Sequence, residues 1–428
     1  NGGLLDRQSK HVHDELHARC LALDDGQTQL VLVICDNCAI TREIFDEAKR
    51  LVHEATGLPL ENMMLSATHT HSAGTAIKAF QCKPDPGFPE FLSRKIADGI
   101  RRALNNLEPA RIGWGSGSAP SQVHNRRWYV QGGAPNPLGG RDGVKMNPQE
   151  GYERIKPAGP TDPEVRVISI QSVTGRPIAL FANYSLHYVG GTGGGDVSAD
   201  YYGYFAARVE KLMPDNREDP PFVAMMSNGT SGNINNIDWT VPRPRQQPYE
   251  QMRRVGHLLA DEAVKVQRAI QHRDWVGLHA AQKEITLGVR RPQPAEVERA
   301  RGIIAKEKKG AGVRSLEETY ARETIDMTAY PATVSLILQA LRIGDLTINA
   351  IPCEVFVEIG MELKQRSPFP TTFTVSLANG YNGYLPTPEH HALGGYETWR
   401  AKSSYLEVEA SPKIVATLVD LMAELHRR

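Results

Sequence analysis

No apolar run in this 428-residue sequence approaches the roughly 20 residues that a membrane-crossing helix needs. The longest, such as LVLVIC from Leu30 to Cys35, fall far short. Neither charge is in excess: Lys plus Arg number 49, as do Asp plus Glu, and the formal net charge is zero. That balance gives no electrostatic footprint for nucleic acid or an anionic membrane surface. Cysteine is scarce and odd in number, so Cys20, Cys35, Cys38, Cys82 and Cys353 make no disulfide framework. Cys35 and Cys38 form a C-x-x-C, but no second pair exists. Both close an apolar strand and read as buried thiols without metal or catalytic duty. The G-x-S-x-G elbow, the H-E-x-x-H helix, the H-x-H-x-D-H string and the G-x-x-x-x-G-K-[ST] phosphate loop are all missing. No signal peptide is visible, yet the numbering opens on Asn1 rather than Met, which fits a processed or trimmed form whose leader is already gone.

What is present is an ordinary globular composition, 40% hydrophobic and 23% charged. The length suits one large domain or two modest ones, and we read residues 1–428 as one. TQLVLVICDN reads as a strand and REIFDEAKRLVHEATG as an amphipathic helix ending at Gly57. NMMLSATHTH is the next strand, PEFLSRKIADGIRRALNNL a second helix, and ARIGWGSGS a third strand. This order predicts an α/β fold with mixed, partly parallel sheets flanked by helices. The active site of such a fold lies at the carboxyl ends of the strands. Residues 131–160, rich in Gly and Pro and without apolar periodicity, predict a long surface excursion near a site. EVRVISIQS and PIALFANYSLH read as strands paired around Thr174 and Gly175. The charged stretch from Pro294 to Met327 reads as helices with a solvated face. A hairpin turning at Gly344 and a C-terminal helix complete the chain.

Candidate chemistry starts with MLSATHTHSAG, Met64 to Gly74. Strand alternation would put His69 and His71 on one face, both binding a metal or one binding while the other moves protons. The plainer reading is two polar residues capping a strand. Three further apolar strands end alike, at His187, Glu354 and Tyr384. Imidazole and carboxylate ligands completed by an anion or water suit zinc, and a metal can lower the pKa of a tyrosine enough to bind it as phenolate. The glycine run from Gly190 to Gly195 reads as a flexible loop beside His187 that admits substrate. Asp200 suits either a role orienting a histidine or a helix N-cap.

LSATHTHSAG resembles the signature of the neutral/alkaline ceramidases, zinc amidohydrolases that cleave the N-acyl bond of ceramide. VHNRRW, FANYSLHYVGG, VSADYYGYFA, MMSNGTSGNIN, AIPCEVFVEIG and NGYNGYLPTPEHHALGGYE are similar to further family segments in the same order. Ser231 and Gly232 stand where that family has Gly-Asp, and Cys353 and Val355 where Gly and Phe are usual. The resemblance implies one zinc held by His69, His187, Glu354 and Tyr384, with His71, Arg126 and Tyr396 contacting the reacting group. It also implies a small-molecule or lipid substrate and a secreted or periplasmic location. It says nothing of oligomeric state. The family's β-rich C-terminal domain has no counterpart here, which leaves a sugar, ester or lactone open as substrate. A non-catalytic binding module is the third reading, and retention of all seven site residues argues against it. In the implied reaction, zinc-bound hydroxide attacks a carbonyl, Arg126 and Tyr396 stabilise the oxyanion, and His71 carries the proton.

Overall fold

The computed structural model describes residues 2–5, 8–80, 82–213, 220–242, 245–306 and 315–428. Strands β1 (Ala18–Asp24), β2 (Gln29–Cys35) and β3 (Met63–Ala67) form the first sheet. β1 and β2 are antiparallel; β2 and β3 are parallel through the crossover helix α1 (Arg42–Thr56). Gly57 ends α1 with φ 76°, a left-handed turn that glycine adopts without steric cost. Helix α2 (Phe88–Asn105) packs beside α1 on the same face. β4 (Ala110–Ser118), the third strand of the order read from the sequence, leaves the first sheet for a second one.

The 131–160 excursion is also more regular than its composition predicts. β5 (Arg127–Pro135), β6 (Arg141–Met146) and β7 (Arg154–Pro157) form an antiparallel sheet. Its register shifts between Tyr129 and Ala134, where Gly132 and Gly133 adopt positive φ. Such a bulge breaks the two-residue alternation by which strands are read.

β8 (Glu164–Ser172) and β9 (Pro177–Tyr184) form the expected antiparallel pair. With β4 and with β10 (Val223–Asn228), which runs parallel to β9, they make the second sheet, ordered β10-β9-β8-β4. Helices α3 (Asp200–Leu212) and α4 (Glu250–Ala269) cover it. The third sheet joins β11 (Leu278–Gly288), β12 (Thr333–Ile343), β13 (Leu346–Ala350) and, beyond the short β14 (Glu354–Val355), β15 (Thr371–Val375). β13 and β15 are parallel, as are β14 and β16 (Tyr384–Leu385). Helices α5 (Pro294–Ile304) and α6 (Leu316–Asp326) occupy the charged stretch, α7 (Val357–Arg366) follows β14, and α8 (Pro388–Leu393) precedes the C-terminal α9 (Ala410–Arg427). Residues 307–314 of that stretch lie outside the described residues; among the described ones, Glu323 is the charged side chain that is buried, against Lys402.

The fold is thus α/β with mixed sheets, and its packing explains where a site can form. One core cluster joins the first, second and third sheets, with Leu32 and Met64 from the first, Ile168 and Phe181 from the second, and Ile348 and Phe373 from the third. The other faces of these three sheets are covered by helices. Beyond β15 the chain stitches the carboxyl ends together: Ser376 N donates to Asn228 O, Asn379 N to Leu65 O, and Ala67 N to Leu377 O. The segments that follow β3, β9, β10, β13 and β15 therefore meet in one place.

Candidate metal centre

His69 lies two residues beyond β3, in a left-handed backbone conformation with φ 80°. The two histidines are thus not on one strand face, as alternation predicts; a loop aims them. His69 Nδ1 lies 2.7 Å from Cys38 O, and His187 Nδ1 lies 3.1 Å from Ser231 O. A carbonyl only accepts, so both Nδ1 atoms carry a proton, and each imidazole in its neutral form keeps its lone pair on Nε2. Those Nε2 atoms are 3.0 Å apart. Glu354 Oε2 lies 3.2 Å from the first and 3.7 Å from the second, and among the described residues it has no hydrogen-bond partner. With both imidazoles neutral, these three buried atoms all present lone pairs and repel one another unless a positive charge, a proton on His69 or a metal ion, sits among them. His69, His187 and Glu354 fit a metal ion on that ground.

Glu354 and Tyr384 are register partners in the β14–β16 pair, which carries the tyrosine to the carboxylate. The Tyr384 hydroxyl, hydrogen-bonded to Glu354, accepts from Arg126 Nη2 at 3.1 Å. Burial and Glu354 push the Tyr384 phenol well above its ordinary pKa, with Arg126 opposing. Phenolate there would need a further positive charge. Burial, Arg126 and His69 hold the His187 imidazole well below its ordinary value, in the neutral form that a metal ligand requires. Burial lowers His69 too, but Glu354 overrides it and holds that imidazole well above. The same carboxylate field would favour a metal cation. Cys38 is nearer the site than its motif suggests, its thiol 3.7 Å from His69 Nδ1, while Cys35 sits in the core.

The remaining candidates surround this centre. His71 Nε2 is 3.4 Å from His69 Nε2, and its ring stacks on Tyr188 with centroids 3.5 Å apart. The Tyr396 ring meets the Tyr384 ring edge to face at 5.8 Å. His69, His187, Glu354, Tyr384 and Arg126 are buried, whereas His71, Tyr188 and Tyr396 are partly exposed. Asp200 takes neither expected role: its carboxylate accepts from Val189 N and Gly190 N, pinning the start of the glycine loop that follows His187. The Ser231-Gly232 departure costs little, because both contribute backbone carbonyls, Ser231 O to His187 and Gly232 O to Arg126. A Cβ on residue 232 would come within 2.6 Å of Glu354 O. A cavity of about 1400 Å³ elsewhere, lined by β1, α2 and α3, contains none of these residues.

Four residues of the site escaped the sequence reading. The Tyr381 hydroxyl donates to Glu354 Oε1 at 2.9 Å; the doubled Asn-Gly-Tyr of NGYNGY was its signal. Tyr188 directly follows His187. Glu397 is fully buried and accepts from Arg126 Nε at 2.8 Å and Arg127 Nη1 at 2.5 Å. Glu397 and Arg127 adjoin Tyr396 and Arg126 in the chain, but no local pattern pairs them.

Fold and site together define an α/β protein with a buried His-His-carboxylate centre at its strand ends. Residues 3–240 match the family described as neutral/alkaline non-lysosomal ceramidase, N-terminal, and the chain belongs to that family. It is 26% identical over 237 residues to neutral ceramidase A of Dictyostelium discoideum, a match covering 52% of this chain and 31% of that protein. It is 26% identical over 241 residues to the neutral ceramidase of Pseudomonas aeruginosa, covering 54% and 33%. These alignments span about a third of the curated relatives' length. The crystal structure of the Pseudomonas aeruginosa neutral ceramidase superposes with a TM-score of 0.71 over 98% of this chain and 70% of that one, at 19% identity. At that identity the likeness is one of fold.

Proposed function

We propose that this chain is a zinc-dependent hydrolase of an N-acyl amide bond, with an N-acylated lipid as the favoured substrate. The observation carrying this reading is the convergence of His69 Nε2, His187 Nε2 and the unsatisfied Glu354 Oε2. With Tyr384, these residues would hold the ion. Zinc so bound supplies a Lewis acid and a water whose pKa falls towards about 7. The protein's own groups divide the other tasks. Arg126 is permanently charged and fixed by Glu397, so its guanidinium is preorganised to receive charge developing on a carbonyl oxygen. The partly exposed Tyr396 can donate to the same oxygen. His71, held by its stack on Tyr188, is the candidate to pass a proton to the leaving amine. Burial and His69 keep its imidazole well below its ordinary pKa, so at neutral pH it starts as a base.

Support for the lipid amide comes from family membership and from the names of the matched relatives, both neutral ceramidases. The test is a screen of the zinc-loaded protein against N-acyl, ester, lactone and glycoside substrates. Release of amine and fatty acid from an N-acyl lipid is the expected result. Turnover confined to an ester, lactone or glycoside would keep the scaffold and replace the substrate. Inertness of the metal-loaded protein towards all of them would favour a binding module.

A further inference from the structure

We propose that the β5–β6 hairpin is a clamp on the loop carrying Tyr396, with Asp142 as its positioning residue. The proposal rests on the reading that Tyr396 takes part in turnover. The loop is held on both sides of that tyrosine. Asp142 Oδ2 accepts from Gly395 N at 2.9 Å, one residue before Tyr396, and from Trp399 Nε1 at 2.6 Å, three residues after it. Asn136, on the same hairpin, fixes the other carboxylate oxygen at 2.8 Å. Arg127, at the start of β5 and fully buried, donates to Gly394 O at 2.5 Å and to the Glu397 carboxylate. The two glycines are required where the hairpin crosses. A Cβ at residue 394 would lie 2.4 Å from Asp142 Oδ1, and one at residue 395 would lie 2.8 Å from Arg127 Nη1. Both have positive φ, 75° and 92°. Among the described residues the Tyr396 hydroxyl makes no hydrogen bond; its ring meets Tyr384 and Trp399 at 5.8 Å each and packs on the cluster that holds Tyr320 and Ala401. No polar contact of its own aims the hydroxyl, so the backbone on either side, anchored to the hairpin, contributes to its aim. The Gly/Pro-rich excursion thus acts on the site through the tyrosine loop rather than by touching the metal centre.

The test combines amide hydrogen exchange over residues 393–400 with a double-mutant cycle between Asp142→Ala and Tyr396→Phe. Asp142→Ala should lose exchange protection in that segment while zinc content stays at the wild-type level. Its kcat should fall about 10- to 100-fold, the scale of a displaced catalytic group, with KM little changed. In the Tyr396→Phe background the same substitution should cost less than about twofold, because its route to the chemistry is already gone. Asp142→Asn, which keeps an acceptor oxygen, should recover part of both losses. If Asp142→Ala does not fold, Trp399→Phe removes one Oδ2 donor, keeps an aromatic ring, and should give the same pattern more weakly. Unchanged exchange, or losses that multiply across the cycle, would overturn the proposal. A wild-type protein inert towards every substrate would instead remove the functional reading, and exchange alone would then decide whether the clamp exists.

Discussion

Replacing Tyr381 with Phe probes the metal centre without touching any atom proposed to bind metal. The substitution deletes one oxygen, the donor to Glu354 Oε1 at 2.9 Å, and keeps the ring. What is lost is a charge-assisted hydrogen bond to a buried carboxylate, worth about 1.5–3 kcal/mol. At about 1.4 kcal/mol per factor of ten, that is roughly 10- to 150-fold in any equilibrium depending on the Glu354 orientation. Loss of a partner to a metal-binding carboxylate is expected on the same scale, about 10- to 100-fold in metal affinity. The assay is competition for zinc between the protein and a chelator of known affinity, with thermal unfolding of the apo form measured in parallel. A zinc affinity weakened by more than the apo form is destabilised is the expected result. Unchanged affinity would mean that Tyr381 does not orient Glu354 towards the metal. An equal drop in apo stability would make its hydrogen bond a general structural one.

Other substitutions separate the remaining roles. His71→Ala should keep zinc and lose about 10²-fold or more in turnover, whereas His69→Ala should lose both, and equal metal loss in the two would make His71 a ligand. Replacing Cys35 and Cys38 together with Ser should leave zinc content unchanged, and a drop would give the thiol beside His69 a metal role. Glu397→Gln strands buried arginine charge and should cost about 3–5 kcal/mol in denaturant unfolding. Burial alone would raise the Glu397 carboxyl, but Arg127 and Arg126 prevail and hold it below its ordinary value. Its contribution to stability is therefore complete above about pH 4.3, its unfolded value, and is lost as pH falls through the lower folded value. Acid unfolding of Glu397→Gln should lack that component; an unchanged acid limb would show that the pair does not carry it.

Much of the fold was legible because the segments before Ala110 and after Glu164 alternate or repeat cleanly: β2, α1 and α2 fall within a residue or two of their apolar patterns, whereas β3 stops at Ala67, before the two histidines read as part of it. β4 was legible as a strand but not as a member of another sheet, since sheet assignment depends on partners such as β8, whose Glu164 pairs with Ser118 and Ser172 with Ala110. The β5–β7 sheet was hidden because glycines and a register shift interrupt its alternation. For the site, residue types at strand ends carried the signal, and the structure brings His69, His187, Glu354 and Tyr384 together. The reason offered for pairing His69 with His71 was nevertheless incorrect, since a left-handed residue after β3 sets their approach. Asp142, Glu397 and Arg127 act across separations above 250 residues, and no local pattern records such pairings.

The central claim, that three lone-pair atoms from three sheet ends share one zinc ion, is tested most directly by anomalous diffraction at the zinc edge from crystals of the zinc-loaded protein. One peak is expected, about 2.0–2.2 Å from His69 Nε2, His187 Nε2 and a Glu354 carboxylate oxygen. No peak among those atoms, or a zinc ion held by other side chains, would contradict it.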